Sequence, residues 1–177
     1  NAMYDPAKMH LHQNRTLDLE KRPWWHKAAL EGAPQIADPE LAKFRSEGFK
    51  VAPQNDAQLA EMTANYYGMI SLVDFQIGRI LDSLKELGLS NDTLIVFASD
   101  HGDMMGDHGL YLKGPMFYEG VLRVPLIIAG PEIPFNKLVE TPVSTIDLAS
   151  TFLESAGVVS TNEQSRSLHP VIQGNET

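Results

Sequence analysis

From Asp56 to Leu87 apolar side chains recur at Leu59, Met62, Tyr66, Ile70, Val73, Ile77, Ile80, Leu84 and Leu87. The steps of three and four keep them on one face of an α-helix. Asn55 or Asp56 can cap its start and Gly88 its end. Gly68 and Gly78 lie inside it, each costing about 1 kcal/mol against Ala, which close packing of the helix on a sheet would explain. After an Asn91-Asp92 turn, Thr93 to Ala98 (TLIVFA) and Val124 to Ala129 (VPLIIA) are uninterrupted apolar runs, the second ended by Gly130-Pro131. Unbroken rather than alternating hydrophobicity predicts strands buried on both faces, as in a parallel sheet covered by helices. A second helix is expected from Thr145 to Ala156, capped by Ser144 or Thr145 and ended by Gly157. Its inward residues are expected to be Ile146, Leu148, Ala149, Phe152 and Leu153. The polar tail from Ser160 to Thr177 reads as loop.

Residues 4 to 55 show no such order. Pro6, Pro23, Pro34, Pro39 and Pro53 interrupt them, leaving room for short helices only at 24 to 31 and 39 to 47. This opening reads as excursions draped over something larger. The order helix, strand, loop, strand, helix that follows is α/β. Three segments result: 1–3, read as a tag remnant, 4–55, irregular, and 56–177, an α/β domain.

Composition narrows the function. With 177 residues, 43% hydrophobic and 21% charged, the chain can build a core. The net charge of −9 argues against a nucleic-acid or anionic-membrane surface, while leaving room for a local cationic site that takes a small anion. No apolar run approaches the length of a membrane span. There are no cysteines, hence no disulfides or thiolate metal sites. No secretory leader is visible, and localisation is left open.

The chemistry-bearing residues cluster after the first strand. Asp100, His101 and Gly102 stand just beyond its carboxyl end, where open α/β sheets bind ligands. Carboxylate and imidazole both suit a divalent cation, and Gly102 lets the chain turn so that neighbouring side chains converge. The alternative is a loop that uses Asp and His only for turns. Asp103, Asp107 and His108 follow without the spacing of an EF-hand, and Asp107 and His108 read as supporting rather than ligating. Lys113, thirteen positions after Asp100, is either an anion clamp or a surface lysine. Arg123 reads as half of a structural ion pair.

In order, the chain carries Asp100-His101-Gly102, Gly106-Asp107-His108-Gly109, Lys113-Gly114, Tyr118-Glu119-Gly120 and Arg123-Val124-Pro125. This ordered set resembles the sulfatase family of the alkaline-phosphatase-like superfamily. The likeness extends to Tyr66 through Leu81, to Ser144 through Gly157 and to Arg166-Ser167-Leu168 with Pro170, where Ser165 replaces a glycine of the family pattern. Tyr4-Asp5-Pro6 is similar to choline-sulfatase-like and phosphonate-monoesterase-like members.

The resemblance implies a partial alkaline-phosphatase-like α/β sandwich with mostly parallel strands flanked by helices. It also implies Asp100 and His101 as metal ligands, Lys113 as a catalytic and substrate-binding contact to sulfate, and, more weakly, His108 as substrate-binding. The cation expected is Ca²⁺, with Mn²⁺ or Mg²⁺ open because of the histidine. The nucleophile would be a formylglycine hydrate made from Cys or Ser in Cys/Ser-x-Pro-x-Arg. The chain has no cysteine, no Ser-x-Pro-x-Arg, no Asp-Asp pair for further metal ligands and no Pro-His substrate motif. The expectation is therefore an internal slice of a sulfuric ester hydrolase, inert alone, whose parent acts on a sulfate ester small molecule or glycan. Phosphonate or phosphate ester hydrolysis in the same superfamily is the first alternative. The second is a non-catalytic, oligomerising or metal-binding module. A slice should expose apolar surface through which copies can associate.

Overall fold

The computed structural model describes residues 3–16, 21–24, 26, 37–48, 55–113, 117–159, 161 and 164–175. The elements in order are α1 (Pro39–Gly48), α2 (Asp56–Glu86), β1 (Ile95–Ala98), α3 (Glu119–Leu122), β2 (Leu126–Ala129), α4 (Asp147–Ser155) and α5 (His169–Gln173), with short 3-10 turns at Pro6–Lys8, Ser90–Asp92 and Asp107–Gly109. The helix expected at 24 to 31 lies largely outside the described residues, as does Gly114. No described helix is long and apolar enough to cross a membrane.

The chain divides into two compact units, Asn1–Gly78 with His101–Val124, and Arg79–Asp100 with Pro125–Thr177. The first is organised around the amino-terminal half of α2. Asn55 caps that helix reciprocally with Gln58. Gln58 N donates to Asn55 Oδ1 at 2.9 Å and Asn55 N to Gln58 Oε1 at 3.1 Å, which satisfies two orphan amide donors of the first turn. Leu59, Thr63 and Ala64 are buried one turn in. Farther along, Tyr67, Met69, Ile70, Leu72, Val73 and Phe75 are exposed. Of the periodic apolar face, Ile70 and Val73 are thus uncovered, whereas Tyr66 and Ile77 are half-buried. Gly68 and Gly78 likewise meet nothing among the described residues within 4 Å of where a Cβ would stand.

In the second unit β1 and β2 pair with Ile95 opposite Ala129 and Ala98 opposite Leu126. The pairing is antiparallel, which corrects the expected parallel arrangement for these two strands. A parallel return needs a long crossover, usually a helix, and among the described residues the only α-helix between them is the four-residue α3. Phe97 and Ile127 are exposed, so the continuous hydrophobicity of the runs does not here correspond to two covered faces. Gly130 ends β2 at φ 146°, where a Cβ would stand 2.8 Å from the Thr93 carbonyl oxygen.

α4 is turned differently from its apolar pattern. Asp147, Ser150 and Thr151 are buried, whereas Ile146, Phe152 and Leu153 are exposed. The reason is a polar network with residues 165–168. Thr151 Oγ1 accepts from Leu168 N at 2.9 Å and donates to Asp147 O at 2.7 Å. Ser165 Oγ donates to Ile146 O at 2.9 Å, and Asp147 Oδ1 accepts from Arg166 N at 3.0 Å. Ser165, standing where the family pattern has glycine, is thus a structural hydrogen-bonding residue. The tail expected to be loop contains α5, with Pro170 in its first turn and Gly174 ending it in the left-handed region at φ 87°.

Candidate active site

Within the first unit, residues 101–113 and 117–124 fold back on a small core. Met104 N donates to Leu112 O at 3.0 Å and Gly106 N to Leu110 O at 2.8 Å. Met104, Leu110 and Val121 are buried together, with Tyr111 and Tyr118 packed against them. Leu59 of α2 closes on Gly106, where a Cβ would stand 2.7 Å from Leu59 Cδ2. The loop holds three non-glycine residues at positive φ: Met105 (44°), His108 (53°) and Leu112 (58°). Each costs on the order of 1–2 kcal/mol, and such strain concentrates where side chains must be aimed rather than merely packed.

The aimed side chains are His101 and Lys113. Lys113 Nζ lies 2.5 Å from His101 Nε2, and His101 Nδ1 lies 2.9 Å from the Gly102 carbonyl oxygen. A carbonyl only accepts, so Nδ1 carries the proton, and Nε2 offers its lone pair to the ammonium. Twelve residues of loop thus bring together two of the residues predicted for the site. Gly102 matters for a reason other than the turn first expected of it. A Cβ there would stand 2.0 Å from the Gly120 carbonyl oxygen, and Gly102 N donates to Val121 O at 2.9 Å. Two backbones touch at this point.

Asp100 belongs to the segment that follows β1 in the second unit and is exposed. Among the described residues no three or more His, Cys, Asp or Glu side chains are placed to hold a metal ion. The donors present therefore do not fit a complete coordination shell, since Ca²⁺ takes six to eight oxygens. Arg123 is exposed and pairs with no described acidic residue, so the ion pair expected of it is not found.

His108 and Asp107 serve the loop itself. The His108 ring stacks on Tyr118 with centroids 4.3 Å apart and planes 24° apart. Asp107 Oδ1 accepts from Asn14 Nδ2 at 2.7 Å. The Tyr118 hydroxyl oxygen accepts from Arg22 Nη1 at 3.1 Å and lies 3.5 Å from His26 Nε2. Asn14, Arg22 and His26 were not legible as site residues, because nothing in a proline-broken stretch marks contacts made about ninety positions away. Elsewhere in the unit Arg15 donates to both Asp56 carboxylate oxygens at 2.8 Å, which holds that carboxyl below its ordinary range. Burial, and then the charge of Asp103, push the Tyr66 hydroxyl up.

The family model for sulfatases, described as "Sulfatase", matches residues 9–158. The chain belongs to the sulfatase family. This sulfatase-family chain is 45% identical over 93 residues to a choline-sulfatase of Rhizobium meliloti, covering 52% of the chain and 18% of that enzyme. It is 37% identical over 160 residues to arylsulfatase K of Danio rerio, covering 84% of the chain and 30% of that protein. Its structure resembles a phosphonate monoester hydrolase from Silicibacter pomeroyi with a TM-score of 0.77 at 31% identity, covering 99% of this chain and 34% of that one. The fold is accordingly the α/β fold of the alkaline-phosphatase-like superfamily. The chain spans between 18% and 34% of the length of these relatives.

Proposed function

We propose that these residues form part of a sulfuric ester hydrolase site, with Lys113 as the cation that contacts the transferring sulfuryl group. The observation that carries this reading is the His101–Lys113 contact at 2.5 Å, in a strained loop whose ordered motifs match the family. Lys113 is exposed. An ammonium with one N–H directed at His101 keeps two for an anionic oxygen. Its charge is fixed before substrate arrives, so it stabilises developing negative charge without reorganisation.

Asp100 and His101, adjacent in sequence, are assigned as two donors to a divalent cation, Ca²⁺ first, with Mn²⁺ or Mg²⁺ as alternatives; in the structure His101 Nε2 is engaged by Lys113, so ligation would require it to give up that ammonium. A bound cation would supply Lewis-acid polarisation of the same oxygens. These 177 residues contain no cysteine and no Ser-x-Pro-x-Arg, so they supply no formylglycine nucleophile, and the chain is expected to be inert alone. The substrate class is a sulfate ester, small or carried on a glycan. The likeness to phosphonate monoester hydrolases, which reaches 40% identity over 70% of this chain for that of Agrobacterium radiobacter, favours a phosphonate or phosphate monoester as the second reading. The uncovered apolar residues of α2, Met69, Ile70 and Val73 among them, suit a further polypeptide layer, which a second copy of the chain can provide.

Isothermal titration of the purified chain with Ca²⁺ and Mn²⁺ tests the partial site. Two donors predict dissociation constants of about 10⁻⁴ M or weaker. Sub-micromolar affinity contradicts the reading.

A further inference from the structure

The second unit contains an apolar cavity of about 360 Å³ beside β2 and α5. Its lining includes Leu126 and Ile128 of β2, which share a face of that strand. Val139 of the following segment and Val171 and Ile172 of α5 complete the apolar surround. Among the described lining residues only Lys137 and Thr141 carry polar side chains. Side chains tie the segment to the helix. Lys137 Nζ donates to Ile172 O at 2.8 Å, and Gln173 Nε2 donates to Glu132 O at 2.8 Å. Glu132 and Asn136 turn the segment at positive φ, 63° and 54°.

The volume lies at the lower end of ligand cavities, which run from roughly 300 to 1,000 Å³ and combine apolar walls with a few placed polar groups. A hydrocarbon chain seated there gains dispersion contacts with the lining that water does not match. The single charge decides the other end of the ligand. Lys137 is exposed, and its ammonium meets the neutral Ile172 carbonyl and forms no ion pair with a described carboxylate. One N–H so used leaves two for a ligand oxygen. In a chain of net charge −9, this cation is what holds an anion beside an apolar cavity.

We propose that the cavity binds an aliphatic monoanion of about ten carbons, a fatty carboxylate being the simplest, packed at the density of an interior. Its chain lies among Leu126, Val139 and Val171, and its head group meets Lys137. The competing occupant is the Phe135 ring of a second copy, since Phe135 is 99% exposed on the same segment. That ring reaches the cavity only if two copies associate, which the net charge of each opposes. The site goes beyond the hydrolase reading and does not rest on it.

Isothermal titration of the full chain with decanoate at pH 7.5 tests this. A single equivalent should bind with a dissociation constant of about 10⁻⁴ M, and butyrate roughly a hundredfold more weakly. Lys137→Met should weaken decanoate about fivefold and leave decanol unchanged, which separates the charge from the cavity. Val171→Trp fills the cavity and should abolish binding of both. Should that variant fail to fold, nuclear Overhauser contacts in the wild type decide. Contacts from the decanoate methylenes to the Val139 and Val171 methyls support the site, and contacts only to the exposed apolar residues of α2 refute it. Absent binding, undiminished binding by Val171→Trp, or equal weakening of acid and alcohol in Lys137→Met overturns the proposal. So does a dimer in sedimentation that excludes decanoate and dissociates in Phe135→Ser. No sulfate ester or metal enters these readouts, so this site and the hydrolase reading fail separately.

Discussion

Lys113→Ala is expected to lower kcat/KM for an aryl sulfate by roughly 100- to 1000-fold in a full-length enzyme that carries this segment, the usual loss when one fixed electrostatic donor is removed from a transition state. The loop geometry makes the loss specific. Lys113 is exposed, and it contacts the His101 ring rather than the core, so its removal should leave thermal stability within about 0.5 kcal/mol. Lys113→Arg keeps the charge, yet a planar guanidinium does not reproduce a compact ammonium against His101 Nε2. It should recover only a small part of the activity. Paired measurements of turnover and melting temperature separate these expectations from misfolding. A loss below tenfold with an unchanged melting temperature would reduce Lys113 to a surface lysine.

Gly102→Ala should have the largest effect on stability. The added Cβ would stand 2.0 Å from the Gly120 carbonyl oxygen, 3.1 Å from Gly120 C and 3.5 Å from Val121 Cα. All three are backbone atoms and cannot rotate aside. Relief requires the chain at α3 to move away, which breaks the Gly102 N to Val121 O hydrogen bond and opens the core beside Val121. Overpacking together with the lost bond amounts to about 3 kcal/mol, a large share of a domain's total stability. Gly68→Ala is the natural control. Nothing described lies within 4 Å of its Cβ position, so a helix-interior alanine should stabilise by about 1 kcal/mol. Urea midpoints for the two variants should move in opposite directions; equal shifts would remove the close-approach argument.

Local physics made much of the fold legible. The period of 3.6 located α2 to within a residue of its end, and Asn55, one of the two caps expected, marks its start, with Gln58 as the unforeseen half of the cap. The two apolar runs became β1 and β2, each starting two residues later than expected. Strand direction was not legible, because burial on both faces was taken as the mark of a parallel sheet and β1 and β2 do not have it. The orientation of α4 was misread because Thr151 and Asp147, polar by type, are buried by hydrogen bonds to residues 165–168 that periodicity does not register. α5 was overlooked although Pro170 and Gly174 bracket it as a helix start and stop. At the site, Asp100, His101 and Lys113 stood out through motif order, and the structure brings His101 and Lys113 together. The contacts of Asn14, Arg22 and His26 did not stand out. Asn14 and Asp107 are 93 positions apart, and such a contact leaves no periodic trace in either stretch.

The central claim is that the chain carries part of an ester-hydrolase site whose nucleophile lies elsewhere. Steady-state assay of the purified chain, with Ca²⁺ or Mn²⁺, against 4-nitrophenyl sulfate and an aryl phosphonate monoester tests it most directly. The account predicts no turnover above the rate without protein for either ester. Turnover by the chain alone that disappears in Lys113→Ala would contradict it.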